Sequence, residues 1–232
     1  MLDNKKSKFD CEQCLFRNLV CHFIPPEEFE LVRRTSQQLH FKKGETIFKQ
    51  EAKSTHLIFL HKGVVKFNYE TETGKNFIMT IVSGPKLLGG ANLFFKDTNI
   101  FSIIPIEDCD ICLIDSRALK SLVINHGKLL LMMLERSTEM FQSSIFNFIS
   151  LAHKQVNGRI ADILIYLSES VYKSPRFNLT LTRKEISEFA ACSHENVIIT
   201  LSRLSKEGII SIEDKQLTIH NMSKLHEISK HG

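Results

Sequence analysis

The sequence predicts an α+β protein in three parts: an antiparallel β-roll of jelly-roll type, a long dimerisation helix and a winged helix-turn-helix domain. Three observations carry this. Short β-rich runs broken by glycines fill residues 39–114. A heptad stripe runs through the Pro-free stretch from Ser116 to Gln155. Two short amphipathic segments around a tight turn then precede a two-strand pattern near the carboxyl end. The divisions drawn from these patterns are 1–24 for a Cys-bearing leader, 25–118 for the β-roll, 119–157 for the dimerisation helix and 158–232 for the winged domain.

Composition is compatible with two modest cores. The chain has 232 residues, 43% hydrophobic content and a net charge of +4. The mild basic excess permits nucleic-acid binding without establishing it. No apolar run approaches the ~20 residues a bilayer span requires, so no membrane partner is expected. The start MLDNKKSKFD lacks the apolar stretch of a secretory signal. The expected compartment is the cytoplasm, where thiols stay reduced and a disulfide framework is not expected. Against that background the clustering of Cys11, Cys14 and Cys21 calls for a reason.

From about Pro25 to Leu39 a short helix is predicted, opened by PPEEF, because proline and acids suit a first turn. LHF, ETIF, LIFL, VVKFNYE and NFIMTIV read as strands, with a hairpin through TETGK where Gly74 can adopt positive φ. The stripe Leu130, Leu134, Ser137, Phe141, Ser144, Phe148 and Leu151 repeats at 4-3 spacing. It fits either a helix lying on its own domain or a parallel two-helix coiled coil between two copies. The length of the stretch favours the coiled coil, with Gly127 a possible interruption and Asn157-Gly158 read as its break.

Thr182-Arg183-Lys184-Glu185 has capping-box form, and the helix it opens turns Ile186, Phe189 and Ala190 inward. Ala191-Cys192 is the turn. Ser193 caps a second helix whose inward face is Val197, Leu201 and Leu204. Gly208 ends it, and Ile209–Ile212 with Gln216–Ile219 form a two-stranded wing around Glu213-Asp214-Lys215. This is the layout in which a second helix enters the major groove, although an ordinary helical hairpin shares the pattern. Arg183, Lys184, Arg203, Lys206 and Lys215 favour the DNA reading as phosphate contacts.

LTRKEISEFAACSHENV followed by LSRLSKEGII resembles the helix-turn-helix of the CRP/FNR family. The order of parts is similar along essentially the whole chain, as are Lys43-Gly44-Glu45-Thr46-Ile47-Phe48 and the Lys62-Gly63 turn. The resemblance implies a cyclic-nucleotide-binding-like β-roll, a homodimer, and double-stranded DNA and RNA polymerase as partners. It places the DNA-binding set on Thr182, Arg183, Ser193, His194, Glu195, Ile198, Ile199, Arg203 and Lys206. Glu195 matches a base-reading glutamate that accepts from a cytosine amino group. Ile199 stands where most members carry a guanine-reading arginine. Ile198 and Ile199 are left to touch thymine methyls, or one of them to be buried. Ala191 replaces the glycine common at the turn.

Cyclic-nucleotide-binding members hold the phosphate with a glycine-glutamate and an arginine-serine pair. In LLGGANLFFKDTNIFSII those positions are Gly89, Gly90, Phe101 and Ser102. Without the arginine a buried phosphate lacks its partner, so no cyclic AMP is expected. Cys11-x-x-Cys14 with Cys21 resembles the leader ligands of the oxygen-sensing FNR branch, and Cys112 matches the fourth. The resemblance thus implies a [4Fe–4S] cluster responding to redox, oxygen or nitrogen oxide. The Cys14–Cys21 gap is one residue longer than usual. Structural zinc, a reversible thiol pair, unremarkable thiols and an unknown small effector in the roll remain open. Cys109 and Cys192 read as structural. A cupin-like metal enzyme is the different-class alternative. It is disfavoured because His40, His56 and His61 show no ligand spacing with a carboxylate in the sequence, and no enzyme is expected.

Overall fold

A computed structural model describes residues 10–89 and 98–231. Gly90, the phosphate-glutamate position of the sequence reading, lies outside the described residues. The chain divides into two compact units, Met1–Phe67 with Val82–Gln142 and Asn68–Ile81 with Ser143–Gly232.

The first unit opens with a 3-10 turn at Cys11–Gln13, α1 (Leu15–Cys21) and α2 (Pro26–Thr35). Strands β1 (Gln37–Phe41), β2 (His56–Lys62), β5 (Lys86–Leu88) and β7 (Cys109–Asp115) form one sheet in the order β1-β7-β2-β5. A second sheet has the order β4-β3-β6, from β3 (Val64–Glu70), β4 (Asn76–Ser83) and β6 (Ser102–Pro105). Strand β2 is apolar on both faces because both faces are covered. Leu57 and Phe59 join Phe16, Val20, Phe29, Val32 and Leu119 of the helices in one cluster. Ile58 and Leu60 point the opposite way and are also fully buried. Gly63, after β2, has φ +100°, and a Cβ there would lie 2.5 Å from the Asp108 carbonyl oxygen and 2.6 Å from Cys109 Sγ. Only glycine fits that crossing.

Two boundaries differ from the sequence reading and a third follows it. The helix expected to reach Leu39 stops at Thr35: the Ser36 hydroxyl bonds the Val32 carbonyl at 2.6 Å, and Gln37–Phe41 pairs along β7 instead. The long helical stretch is interrupted at His126, beside the Gly127 that the sequence marks as an interruption, between α3 (Ser116–Asn125) and α4 (Gly127–His153). Asn157-Gly158, read as a break, lies inside α5 (Val156–Tyr166), and the helices part at Lys154-Gln155. The described part of the leader is built into the first unit, for Phe16 and Val20 are buried. At roughly 1.5–3 kcal/mol for each large apolar side chain, this anchoring is substantial.

The second unit holds the tip of the β3–β4 hairpin, the end of α4, α5 with a π turn at Leu167–Val171, and β8 (Arg176–Asn178). It continues with α6 (Arg183–Ala190), α7 (His194–Lys206), β9 (Ile210–Glu213), β10 (Gln216–Ile219) and α8 (Met222–His231). The expected two-stranded wing is three-stranded, in the order β8-β10-β9. The core is Ile160, Leu164, Ile186, Phe189, Val197, Leu201, Leu204 and Leu217. The Tyr166 hydroxyl donates to the Ile81 carbonyl and its ring meets Phe189 edge-on, so the hairpin tip is fastened to α5 and α6. Asn147 Nδ2 adds a bond to the Met79 carbonyl at 3.3 Å.

Candidate nucleic-acid interface

The capping box forms as its sequence requires. Glu185 N donates to Thr182 Oγ1 at 3.1 Å, and Thr182 N donates to Glu185 Oε2 at 2.8 Å. Arg183 follows in the first turn, half-buried, its guanidinium pushed below its ordinary value by burial. Ala191 closes α6 in the left-handed region at φ 47°. Ser193 then accepts from Asn196 N at 3.3 Å and starts α7. Val197, Leu201 and Leu204 are buried as expected, so His194, Glu195, Ile198, Ile199, Arg203 and Lys206 all fall on exposed surface.

Glu195 has its carboxyl held below the ordinary carboxylate value, first by a hydrogen bond to its own backbone N–H and then by the Ser193 hydroxyl. It is an acceptor at neutral pH. Arg203 Nε lies 3.8 Å from Glu207, while Lys206 and Lys215 stand exposed. Neither Ile198 nor Ile199 takes the buried alternative: their exposures are 48% and 64%.

Two α5 residues to which the sequence reading gave no part at this site hold α7 and the turn before it in place. Asn157 Oδ1 accepts from the buried Thr200 hydroxyl at 2.9 Å. Arg159 Nη1 donates to the Ala191 carbonyl at 3.2 Å. Both lie on α5, more than 30 positions away in sequence, so no local pattern announces them.

Along α4, Leu129 and Met133 are buried against the helical cluster of the first unit. Of the stripe, Leu130, Leu134, Phe141 and Phe148 are exposed, Phe148 to 71%. Ser137 donates to the Met133 carbonyl, and Ser144 and Leu151 are half-buried. Phe146, also 71% exposed, adds to this apolar surface.

Four of the six cysteines, Cys11, Cys14, Cys21 and Cys112, lie on one side of the roll. Cys14, Cys21 and Cys112 pack against the same apolar cluster. Gln38, the register partner of Cys112, donates from Nε2 to Cys11 Sγ at 3.2 Å. Burial pushes the Cys112 thiol up to about 11, against the lowering effect of a hydrogen bond with Ser36. The four thiols suit an iron–sulfur cluster in kind. They are not closed into one, since among the described residues no three His, Cys, Asp or Glu side chains gather tightly enough for an ion. Cys109 is buried in β7 and Cys192 sits in the helix-turn-helix turn. One roll histidine does meet a carboxylate: His40 Nδ1 lies 2.8 Å from Asp110, through the β1–β7 register that the sequence could not supply. At the nucleotide position, Phe101 meets Phe67 edge-on at 6.3 Å, and the Ser102 hydroxyl accepts from Gln50 N.

No helix among the described residues is long and apolar enough to cross a membrane. Residues 158–228 match the Crp-like helix-turn-helix domain and residues 38–126 the cyclic nucleotide-binding domain. A CRP-like cAMP-activated global transcriptional regulator of Mycobacterium tuberculosis is 22% identical over 218 residues, covering 92% of this chain and 97% of that protein. The anaerobic regulatory protein of Bacillus subtilis is 25% identical over 211 residues, 87% of each. Among solved structures, FixK2 from Bradyrhizobium japonicum superposes with a TM-score of 0.75 at 16% identity, covering 83% of this chain and 96% of that one. A putative crp/fnr-family regulator from Eubacterium rectale gives 0.76 at 14% identity, covering 92% and 99%. A roll of the cyclic nucleotide-binding type, a capped helix-turn-helix with an exposed second helix, and relatives matched along nearly their full length lead to one placement: the chain belongs to the CRP/FNR family of transcription regulators.

Proposed function

We propose that the protein acts as a homodimer, reads a specific DNA sequence through α7, acts on RNA polymerase, and responds to redox, oxygen or nitrogen oxide through a [4Fe–4S] cluster on Cys11, Cys14, Cys21 and Cys112. The observation that carries the sensing is the gathering of leader and β7 thiols: Cys14, Cys21 and Cys112 pack against one apolar cluster, and Gln38, the register partner of Cys112, bonds Cys11. A cluster would supply redox and oxygen-labile chemistry there. The chain's own part is to bring the leader's 3-10 turn against the roll. Because α1 and α3 share one apolar cluster with the start of α4, a shift of the leader alters packing beside the dimer stripe. The exposed phenylalanines of α4 support the homodimer, since apolar surface of this kind marks an association site.

A second reading, a small ligand in the roll, is favoured by the match of residues 38–126 to the cyclic nucleotide-binding domain. Cyclic AMP is not the ligand on this reading, because Phe101 stands where its phosphate needs an arginine. Anaerobic purification with iron, sulfide and zinc determination tests the sensor. A brown protein with about four irons per chain, lost in Cys112→Ser, is expected. The same protein titrated with cyclic AMP is expected to show no binding heat. A colourless protein, or one zinc per chain, overturns the cluster, and micromolar nucleotide binding overturns the exclusion.

A further inference from the structure

The outward face of α7 has an ordered chemistry. At 3.6 residues per turn, burial of Val197, Thr200, Leu201 and Leu204 fixes the inward direction, and the opposite stripe is then Glu195, Ile199, Ser202 and Lys206. Ile199 sits at the middle of that stripe, 64% exposed, with a carboxylate one turn before it and a hydroxyl in the turn after. Ile198 is about a quarter-turn to the side and less exposed.

An isoleucine there offers no hydrogen bond to a base edge. Major-groove edges present acceptors, amino donors and one apolar group, the pyrimidine C5-methyl of thymine. We infer that Ile199 is a specificity-determining residue that packs on a thymine methyl in the operator. The inference rests on the reading of α7 as the DNA-contacting helix and adds the base it selects. Glu195 accepts from a cytosine amino group one helical turn away, about 6 Å along the axis. With bases 3.4 Å apart on a strand, the thymine lies within about two base pairs of that cytosine.

The experiment uses the full chain and a synthetic pool of random duplexes free of 5-methylcytosine. After the bound sequence is selected, each thymine is replaced in turn by deoxyuridine, which removes the methyl and leaves every hydrogen bond. One thymine per half-site is expected to show about fourfold weaker binding on replacement, the effect of exposing roughly one methyl group. It is expected within two base pairs of the position that Glu195→Ala relaxes. Ile199→Ala, a surface change that leaves the core intact, is expected to bind thymine and uracil duplexes alike, while Ile198→Ala keeps the difference. An operator indifferent to uracil at every position overturns the inference and leaves DNA binding standing. So does a sensitivity that survives in Ile199→Ala. An operator enriched only after cytosine methylation of the pool overturns the thymine assignment in favour of 5-methylcytosine. A pool with no enriched sequence overturns the reading role of α7 itself, and this inference with it.

Discussion

Glu195 and Lys206 lie on one stripe of α7, and the proposed function gives them different work. Glu195 is ionised and near the amino end proposed to enter a groove, so Glu195→Ala is expected to relax preference at one base pair, with a penalty of about 1–3 kcal/mol against the preferred sequence. Lys206, exposed in the last turn, is the proposed point charge for phosphate. Lys206→Ala is expected to weaken all sequences alike and to reduce the slope of affinity against salt by about one. Binding to operator and scrambled duplexes across a salt series checks both, and unchanged selectivity in Glu195→Ala would refute the placement. These residues were legible because caps and inward apolar positions are local in sequence: Thr182, Glu185 and Ser193 announce the helix starts, and Val197, Leu201 and Leu204 fix the face. Asn157, Arg159 and the His40–Asp110 pair were not legible, because each acts across a separation of more than 30 residues that only folding closes.

The turn between α6 and α7 stores a small cost at Ala191, a non-glycine at φ 47°. L residues with a Cβ are disfavoured in the left-handed region by roughly 1–2 kcal/mol, and glycine is the usual occupant after a helix. Part of that gain is returned through the greater freedom of glycine in the unfolded chain. Ala191→Gly is therefore expected to stabilise the second unit by about 0.5–1 kcal/mol, seen as a higher midpoint in thermal unfolding, with the Arg159 bond to the carbonyl kept. A lowered midpoint would show that the turn is not strained. Elements with a strong period, such as α7 or the apolar β2, were recovered from sequence. The three residues of β8 were not, since Arg176–Asn178 is too short to show alternation and forms only because β10 offers its edge. The end of α2 was misplaced for a related reason. Ladder pairing with β7 took Gln37–Phe41 out of a helix that its local propensity allowed.

At the scale of the molecule, α4 presents Leu134, Phe141 and Phe148 to solvent in a single chain, the pattern expected of a helix whose partner is a second copy. Phe141→Glu with Phe148→Glu is expected to give monomers in sedimentation and much weaker operator binding. A double variant that sediments as a dimer would place the interface elsewhere. No sequence pattern announced that each compact unit would be built from two separate stretches of chain. The strand-rich stretch reads as one roll, yet the hairpin tip at 68–81 groups with 143–232, because Tyr166 and Asn147 hold its backbone carbonyls. That fastening bears on how such a protein can be inherited and recombined. A crossover placed at the start of α5 would import a DNA-reading segment without the hairpin carbonyls its tyrosine was shaped to meet. The exchangeable module is thus discontinuous in the gene: two separated stretches, one short and one long, that are best replaced together.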